Sequence, residues 1–421
     1  MPTKEQIIPK GYKHTEVGVI PSDWEVKKIG DLADVVGGGT PGTQILEYWN
    51  GNINWFTPTE IGDRKYAYFS KRKITSIGLQ NSSAKTLNKG TILMTSRASI
   101  GDLAILKEKG TTNQGFQSLC PRDEVFSEFL YYLMLTKKST LLEKASGSTF
   151  LEISPSSVRK IFVQKPSILE QTAIATALSD TDALIEKLTN LIEKKKNIKQ
   201  GMMQELLTGK RRLPGFSGEW TRKKLGDLGE ITGSGVDKKI RPDELPARLL
   251  NFLDVFHRNF IYSKNLSHEV TARLDQLIKC SAKKGDIFFT PSSEMPFDIG
   301  LSAITMEDMP SVVHSYHVNR FRLSEDWDLL FKAYIFQTKD FSNQTATHCE
   351  GSGKRYVLSL KTFREKLTVY YPEDKQEQSA ISQILFDIDA EIEKLESQLS
   401  KYQNLKQGMM QTLLTGKIRL I

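Results

Sequence analysis

Cysteine is scarce in this chain. Three residues in 421, Cys120, Cys280 and Cys349, are odd in number, widely scattered and without a Cys-x-x-Cys pair. That spacing excludes a disulfide framework and a cysteine zinc site, and it fits a reducing, cytoplasmic setting. Long apolar runs are also missing. None approaches the roughly 20 residues a membrane helix needs, and MPTKEQIIPKGYKHTEVG at the start lacks the apolar core of a secretory signal. A phosphate loop is missing too: GSGK at Gly351–Lys354 has no glycine four residues further back, and Arg355 stands where Ser or Thr is required. Acidic excess is absent as well, because 58 Lys and Arg against 50 Asp and Glu leave a net charge of +8. A polyanionic partner such as nucleic acid suits that balance.

What the chain does have is repetition. At a shift of 207 positions, EQTAIATALSDTDALIEKL (Glu170–Leu188) falls on EQSAISQILFDIDAEIEKL (Glu377–Leu395). Without a gap, NIKQGMMQELLTGKRRL (Asn197–Leu213) falls on NLKQGMMQTLLTGKIRL (Asn404–Leu420), with 14 of 17 positions identical. A second repeat, WEVKKIGDL (Trp24–Leu32) and WTRKKLGDL (Trp220–Leu228), is shifted by 196, and each copy precedes a glycine cluster. The order is therefore head, helix, head, helix.

Periodicity makes the repeated segments helical. Ile381, Leu385, Ile388, Ile392, Leu395, Leu399 and Tyr402 alternate steps of four and three, as do Ile174, Leu178, Thr181, Ile185, Leu188 and Ile192. This is a coiled-coil seam. Pro166 and Pro372 precede the helices, and Gly209 and Gly416 follow them in the usual C-terminal position. A helix from Glu170 to Thr208 would be about 58 Å long at 1.5 Å per residue. Only about a dozen residues join the first helix to the second head, so seam pairing requires the helices to run antiparallel, and LTGKIRL returns to the first head. The expected fold is α+β: two pseudo-symmetric α/β heads separated by two long helices pairing as an antiparallel coiled coil. The expected divisions are 1–168, 169–209, 210–375 and 376–421.

Within the heads, KGTILMTSRASIGDLAI (Lys89–Ile105) corresponds to KGDIFFTPSSEMPFDIGLSAI (Lys284–Ile304), and ASGSTFLEIS (Ala145–Ser154) to EGSGKRYVLS (Glu350–Ser359). Together with GGGTPGTQILEYWNGNINWFTP (Gly37–Pro58), the WEVKKIGDL-type opening of both heads and the twin EQ…LLTG helices, these pieces carry a resemblance. The chain resembles the specificity (S) subunit of a Type I restriction–modification system over nearly its whole length. The second head departs from the family's GGTP pattern, with GSGVDKKIRPDELP (Gly233–Pro246) in its place.

The resemblance implies that each head is a target recognition domain reading one half of a bipartite, asymmetric double-stranded DNA site. It implies helices that set the spacing and dock two methyltransferase subunits, with two restriction–translocation subunits completing the complex. It also places S-adenosylmethionine, ATP and Mg on those partners, with no cofactor, metal or catalytic residue in this chain. The residues agree, since no S-adenosylmethionine-type glycine loop and no nuclease carboxylate–lysine cluster stands out. NFIY (Asn259–Tyr262) lacks both prolines of an amino-methyltransferase box. A specificity subunit whose single partner both methylates and cuts, or a methyltransferase or nuclease in its own right, are the alternatives.

Base edges are read by Arg, Lys, Asn, Gln and hydroxyl side chains on accessible loops. The candidates are Thr95, Ser96, Arg97, Asn113, Gln114, Gly147 and Ser148 in the first head, with Ser292, Ser293, His314, His317, Lys354 and Arg355 in the second. Arg97 is equally open to a surface salt bridge, and Asn113–Gln114 to a turn. Two histidines three apart, without a Cys or acidic partner at ligand spacing, do not suit zinc. Leu206, Leu207, Leu413 and Leu414 are the candidate partner-binding positions. Lys194, Lys195, Lys196 and Lys199 form a solvated face or a partner surface.

Overall fold

A computed structural model of the chain describes residues 8–147 and 151–420. The two seams become continuous 39-residue helices, Ile168–Leu206 and Lys375–Leu413. Every seam position named above is buried or half-buried. The chain divides into two compact units, and the division cuts both helices. One unit is Met1–Leu188 with Gln398–Ile421, and the other is Thr189–Ser397. Each unit joins a head to the first half of its own helix and the last half of the other.

In the first unit the helix segments run antiparallel. The Thr181 hydroxyl contacts the Met409 sulfur, Lys406 pairs with Asp182, and Arg419 reaches Glu170. The second unit repeats this with Lys199 on Asp389, Lys195 on Glu391 and Arg212 on Glu377. The ends of the seam leave the coiled coil. Ile174 and Leu178 enter the first head's core beside Leu413 and Leu414. Ile381 and Leu385 enter the second head's core beside Leu206 and Leu207. Gly209 and Gly416 cap the exits with φ of +67° and +70°, a conformation that only glycine adopts cheaply.

Each head is built on a five-stranded sheet of the same order. In the first head it runs Ala33–Gly37, Gln117–Pro121, Ile92–Met94, Leu103–Leu106, Tyr66–Ala67. In the second it runs Gly229–Thr232, Asn319–Leu323, Ile287–Phe289, Ser302–Thr305, Phe260–Ile261. All neighbours are antiparallel except the last pair. The central strands are three buried residues each, ILM and IFF, which suits strands covered on both faces. The repeated opening motif forms a strand pairing antiparallel with the one before the long helix. These pairs are Glu25–Lys28 with Phe162–Lys165, and Trp220–Lys224 with Thr368–Pro372. Smaller sheets complete the heads. Trp49–Phe56 lies between Gly110–Thr112 and Arg72–Ile74 in the first. In the second, Glu269–Ala272, Leu245–Leu250, Met309–His314 and Ser281–Ala282 form four strands.

Candidate nucleic-acid interface

In the first head three segments converge beyond the central strand Ile92–Met94: the loop after it, the turn before Gln117, and the segment around Glu152. The Ser96 amide donates to the Gly115 carbonyl at 2.8 Å, and the Ile153 amide donates to the Ser96 carbonyl at 3.0 Å. Arg97 bridges to Glu152, which bridges to Ser146 beside Gly147. Arg97, Asn113, Gln114 and Gly147 thus share one region, half-buried or exposed. The Asn113 side-chain oxygen accepts from the Gly115 amide at 2.8 Å, and Thr40 donates to the Gln114 oxygen at 2.5 Å. Ser148 lies outside the described residues.

Thr95 and Ser96 do not reach that surface; both are fully buried. Thr95 donates to the Ser99 carbonyl at 2.5 Å and accepts from the Asp102 amide at 3.0 Å. Thr290 in the second head does the same with Asp298 and Leu301. This threonine braces the loop that presents its neighbours and cannot itself face a duplex.

The second head offers a different set at matching places. Ser292 and Ser293 pair with Val357 and Tyr356, joining this loop to the hairpin Glu350–Ser352/Arg355–Val357. Arg355 donates to the Ser292 hydroxyl at 3.0 Å, and Ser293 approaches Asp298 at 3.4 Å. The guanidinium that Arg97 supplies from the loop in the first head comes here from the opposite strand. Lys354 and Arg355 are exposed. His317 packs at a tilt against exposed Tyr316, 4.1 Å between centroids. Burial, followed by the positive charges of Lys238 and Arg355, pushes its pKa down.

His314 belongs instead to the core. It is fully buried against Phe288, and burial, with Arg320 nearby, lowers its pKa to about 4. Its ring lies 5.5 Å from the Phe288 ring between centroids. It is neutral at neutral pH and has no exposed surface.

Lys238, Tyr316 and Thr40 joined the site without being foreseen. The available signal was the glycine cluster. A side chain on Gly38 would lie 2.1 Å from the Asn113 carbonyl, and one on Gly235 would lie 2.3 Å from the Ser315–Tyr316 peptide. Each glycine seats its loop against the presenting turn, bringing Thr40 and Lys238 alongside.

The helix residues also differ in place. Leu206, Leu207, Leu413 and Leu414 are all buried in head cores, so they fasten helix exits and offer no surface to a partner. Lys195, Lys196 and Lys199 are paired with Glu391, Glu396 and Asp389; Lys194 is exposed.

Two long helices and two heads of matching sheet order define a duplicated two-head, two-helix protein, and comparison with known proteins gives its family. The family model of the Type I restriction modification DNA specificity domain matches twice, at residues 21–197 and 217–401, and the chain belongs to that family. It is similar to the Type I restriction enzyme MjaIX specificity subunit of Methanocaldococcus jannaschii, 46% identical over 190 residues. That match covers 44% of this chain and 44% of the relative, less than half of either. The MjaVIII specificity subunit of the same organism is 24% identical over 415 residues, 95% of this chain and 94% of the relative. Among solved structures, the S subunit of a Type I restriction–modification system from M. genitalium shares the fold. Its TM-score is 0.58 at 17% identity, over 93% of this chain and 96% of that one. Among the described residues no helix is long and apolar enough to cross a membrane.

Proposed function

We propose that this chain is the DNA-reading subunit of a Type I restriction–modification complex, each head reading one half of a bipartite, asymmetric site. The observation that carries the reading is the pairing of sameness with difference. Both heads use one sheet order and one threonine brace, yet present Arg97, Asn113 and Gln114 in one and Lys238, Tyr316, His317, Lys354 and Arg355 in the other. Like scaffolds with unlike readers suit two different half-sites. The helices set the half-site spacing and dock two methyltransferase subunits. Two restriction–translocation subunits complete the assembly, in the cytoplasm. Modification and cleavage, with S-adenosylmethionine, ATP and Mg, reside on those partners, and a base taken from the stack for methylation is handled there. This chain positions them and catalyses nothing.

The test is to reconstitute the chain with its methyltransferase subunits and map methylated adenines on genomic DNA. A two-part motif is expected. Arg97→Ala should relax or weaken recognition at one half only, by about 1–3 kcal/mol if a base contact is lost. Methyl transfer by the purified chain alone, or a change at both halves, would refute the reading.

A further inference from the structure

The two heads sit on their own helices through surfaces of opposite chemistry, and the backbone frame around those surfaces is the same. The Ile105 amide donates to the Lys65 carbonyl at 2.8 Å, as Ile304 does to Asn259 at 2.9 Å. Lys107 donates to the Ala67 carbonyl as Met306 does to Ile261. The Gln171 side chain accepts from the Phe126 amide at 2.9 Å, as Gln378 does from Asp328. Tyr132 donates to Asp182 at 2.6 Å, and Tyr334 to Asp389 at 2.8 Å. These pairs align Lys65 with Asn259, Tyr66 with Phe260, Lys107 with Met306, Glu128 with Leu330, and Ser179 with Phe386.

In the first unit this seat is polar. The Lys65 amine donates to Ser179 at 2.7 Å and to Tyr132 at 3.0 Å, and pairs with Glu128 at 3.2 Å. Ser179 donates to Glu128 at 2.9 Å, and Tyr66 does so at 2.7 Å. Lys107 lies 3.9 Å over the Tyr66 ring. In the second unit the seat is apolar. Phe260 meets Phe386 edge-on at 5.5 Å and Tyr334 at 5.9 Å, with Met306 packed on the same core. All five aligned positions are charged or hydroxyl-bearing in the first unit and neither in the second, where four of them are apolar.

We infer that this seat is a key that commits each head to its own helix, with the residue at 179 or 386 as its central tooth. Ser179 is the hydroxyl by which the helix bonds both members of the Lys65–Glu128 pair. A phenylalanine there would bury that ion pair against a ring, with nothing to replace the hydroxyl's bonds. Conversely, a serine facing Phe260 would leave a hole in an aromatic cluster. The match between each head and its own helix is thereby built into packing. The key stands on geometry inside each unit and does not depend on what the heads bind.

The experiment grafts residues 21–166 in place of 217–372, so that a second copy of the first head meets the second helix, and reads thermal unfolding midpoints. Phe386→Ser is expected to raise the midpoint of the graft and to lower that of the parent. A change of the same sign in both backgrounds overturns the key. Should the graft fail to fold, the parent carries the test. Ser179→Phe should lower its midpoint, and adding Lys65→Asn, Tyr66→Phe, Lys107→Met and Glu128→Leu should recover most of the loss. A combined variant no more stable than Ser179→Phe alone overturns the inference.

Discussion

Arg419 is expected to carry much of the stability of the first unit, because it answers a buried charge. Its guanidinium forks onto Glu170, whose side chain is 1% exposed, and onto Asp23 at 2.9 and 3.0 Å. The Trp24 indole donates to the same Glu170 at 2.9 Å. These hydrogen bonds, first to Glu170 and then to Asp23, hold the arginine's pKa above its ordinary value. Arg419→Ala leaves Glu170 buried with only the indole as donor. Breaking a buried pair from one side costs about 3–5 kcal/mol. The Arg419 side chain is 31% exposed, so water reaches part of the gap and the expected loss is about 2–3 kcal/mol. Urea unfolding followed by circular dichroism measures the total, and hydrogen exchange shows whether amides around Glu25–Lys28 and Phe162–Lys165 lose protection. The control is Glu170→Gln with Arg419→Met. It keeps an acceptor for Trp24, removes both charges, and should lie within about 1 kcal/mol of the parent. A loss below about 1 kcal/mol in Arg419→Ala, or a double variant as unstable as the single, would refute the argument.

Two other perturbations test separate parts of the molecule. Lys195→Glu with Lys196→Glu sets like charges against Glu391 and Glu396. These pairs are largely exposed, so the loss should be only about 1–2 kcal/mol, should shrink in high salt, and should be recovered by Glu391→Lys with Glu396→Lys. His314 has a folded pKa of about 4, below the ordinary 6.5, so the unfolded chain binds the extra proton between those values. Stability should therefore fall as pH drops from 6.5 towards 4, by up to about 3 kcal/mol, and His314→Gln should flatten that part of the pH–stability curve. An unchanged slope would show that the ring is not held neutral.

The helices were legible because their signal is long. Six or seven seam positions at a 3-4 spacing, repeated at a fixed shift, have few competing explanations. The sheets were not. Ile92–Met94 and Ile287–Phe289 are three-residue strands, buried throughout, and runs that short show no alternation from which a partner or direction can be read. The site was legible by loop and obscure by residue. Thr95, Ser96 and His314 are polar, and polarity suggested surface, but Thr95 answers backbone groups inside a turn and His314 sits in a strand among aromatic rings. Conversely, Lys238 and Tyr316 join the second head's cluster through Gly235, a contact between segments some 80 positions apart that no local pattern announces. The grouping of helix halves with heads was hidden for a related reason. Periodicity continues through Ile174 and Leu178 without marking the point where a seam stops facing a helix and starts facing a head.

The near-identity of the two KQGMMQ…LLTGK phrases follows from this arrangement. Lys199 in the first copy pairs with Asp389, and Lys406 in the second pairs with Asp182. Each lysine thus meets the aspartate of the opposite repeat, which in turn receives a head tyrosine. Leu206–Leu207 and Leu413–Leu414 each close a head core, and Gly209 and Gly416 each turn the chain beneath a tryptophan. Such a phrase has the same task in both units, and its partner there comes from the other repeat. A change in one copy mismatches one unit and leaves the other intact, so pseudo-symmetric packing holds only while both copies stay alike. At the five seat positions head and helix belong to the same half of the chain, so each half can settle on its own complementary set without a change in the other. Likeness is not confined to contacts across the repeats: the tyrosine–aspartate and glutamine–amide contacts recur within both halves, while Lys195 on Glu391 crosses the repeats where the other copy has Tyr402 and Leu184.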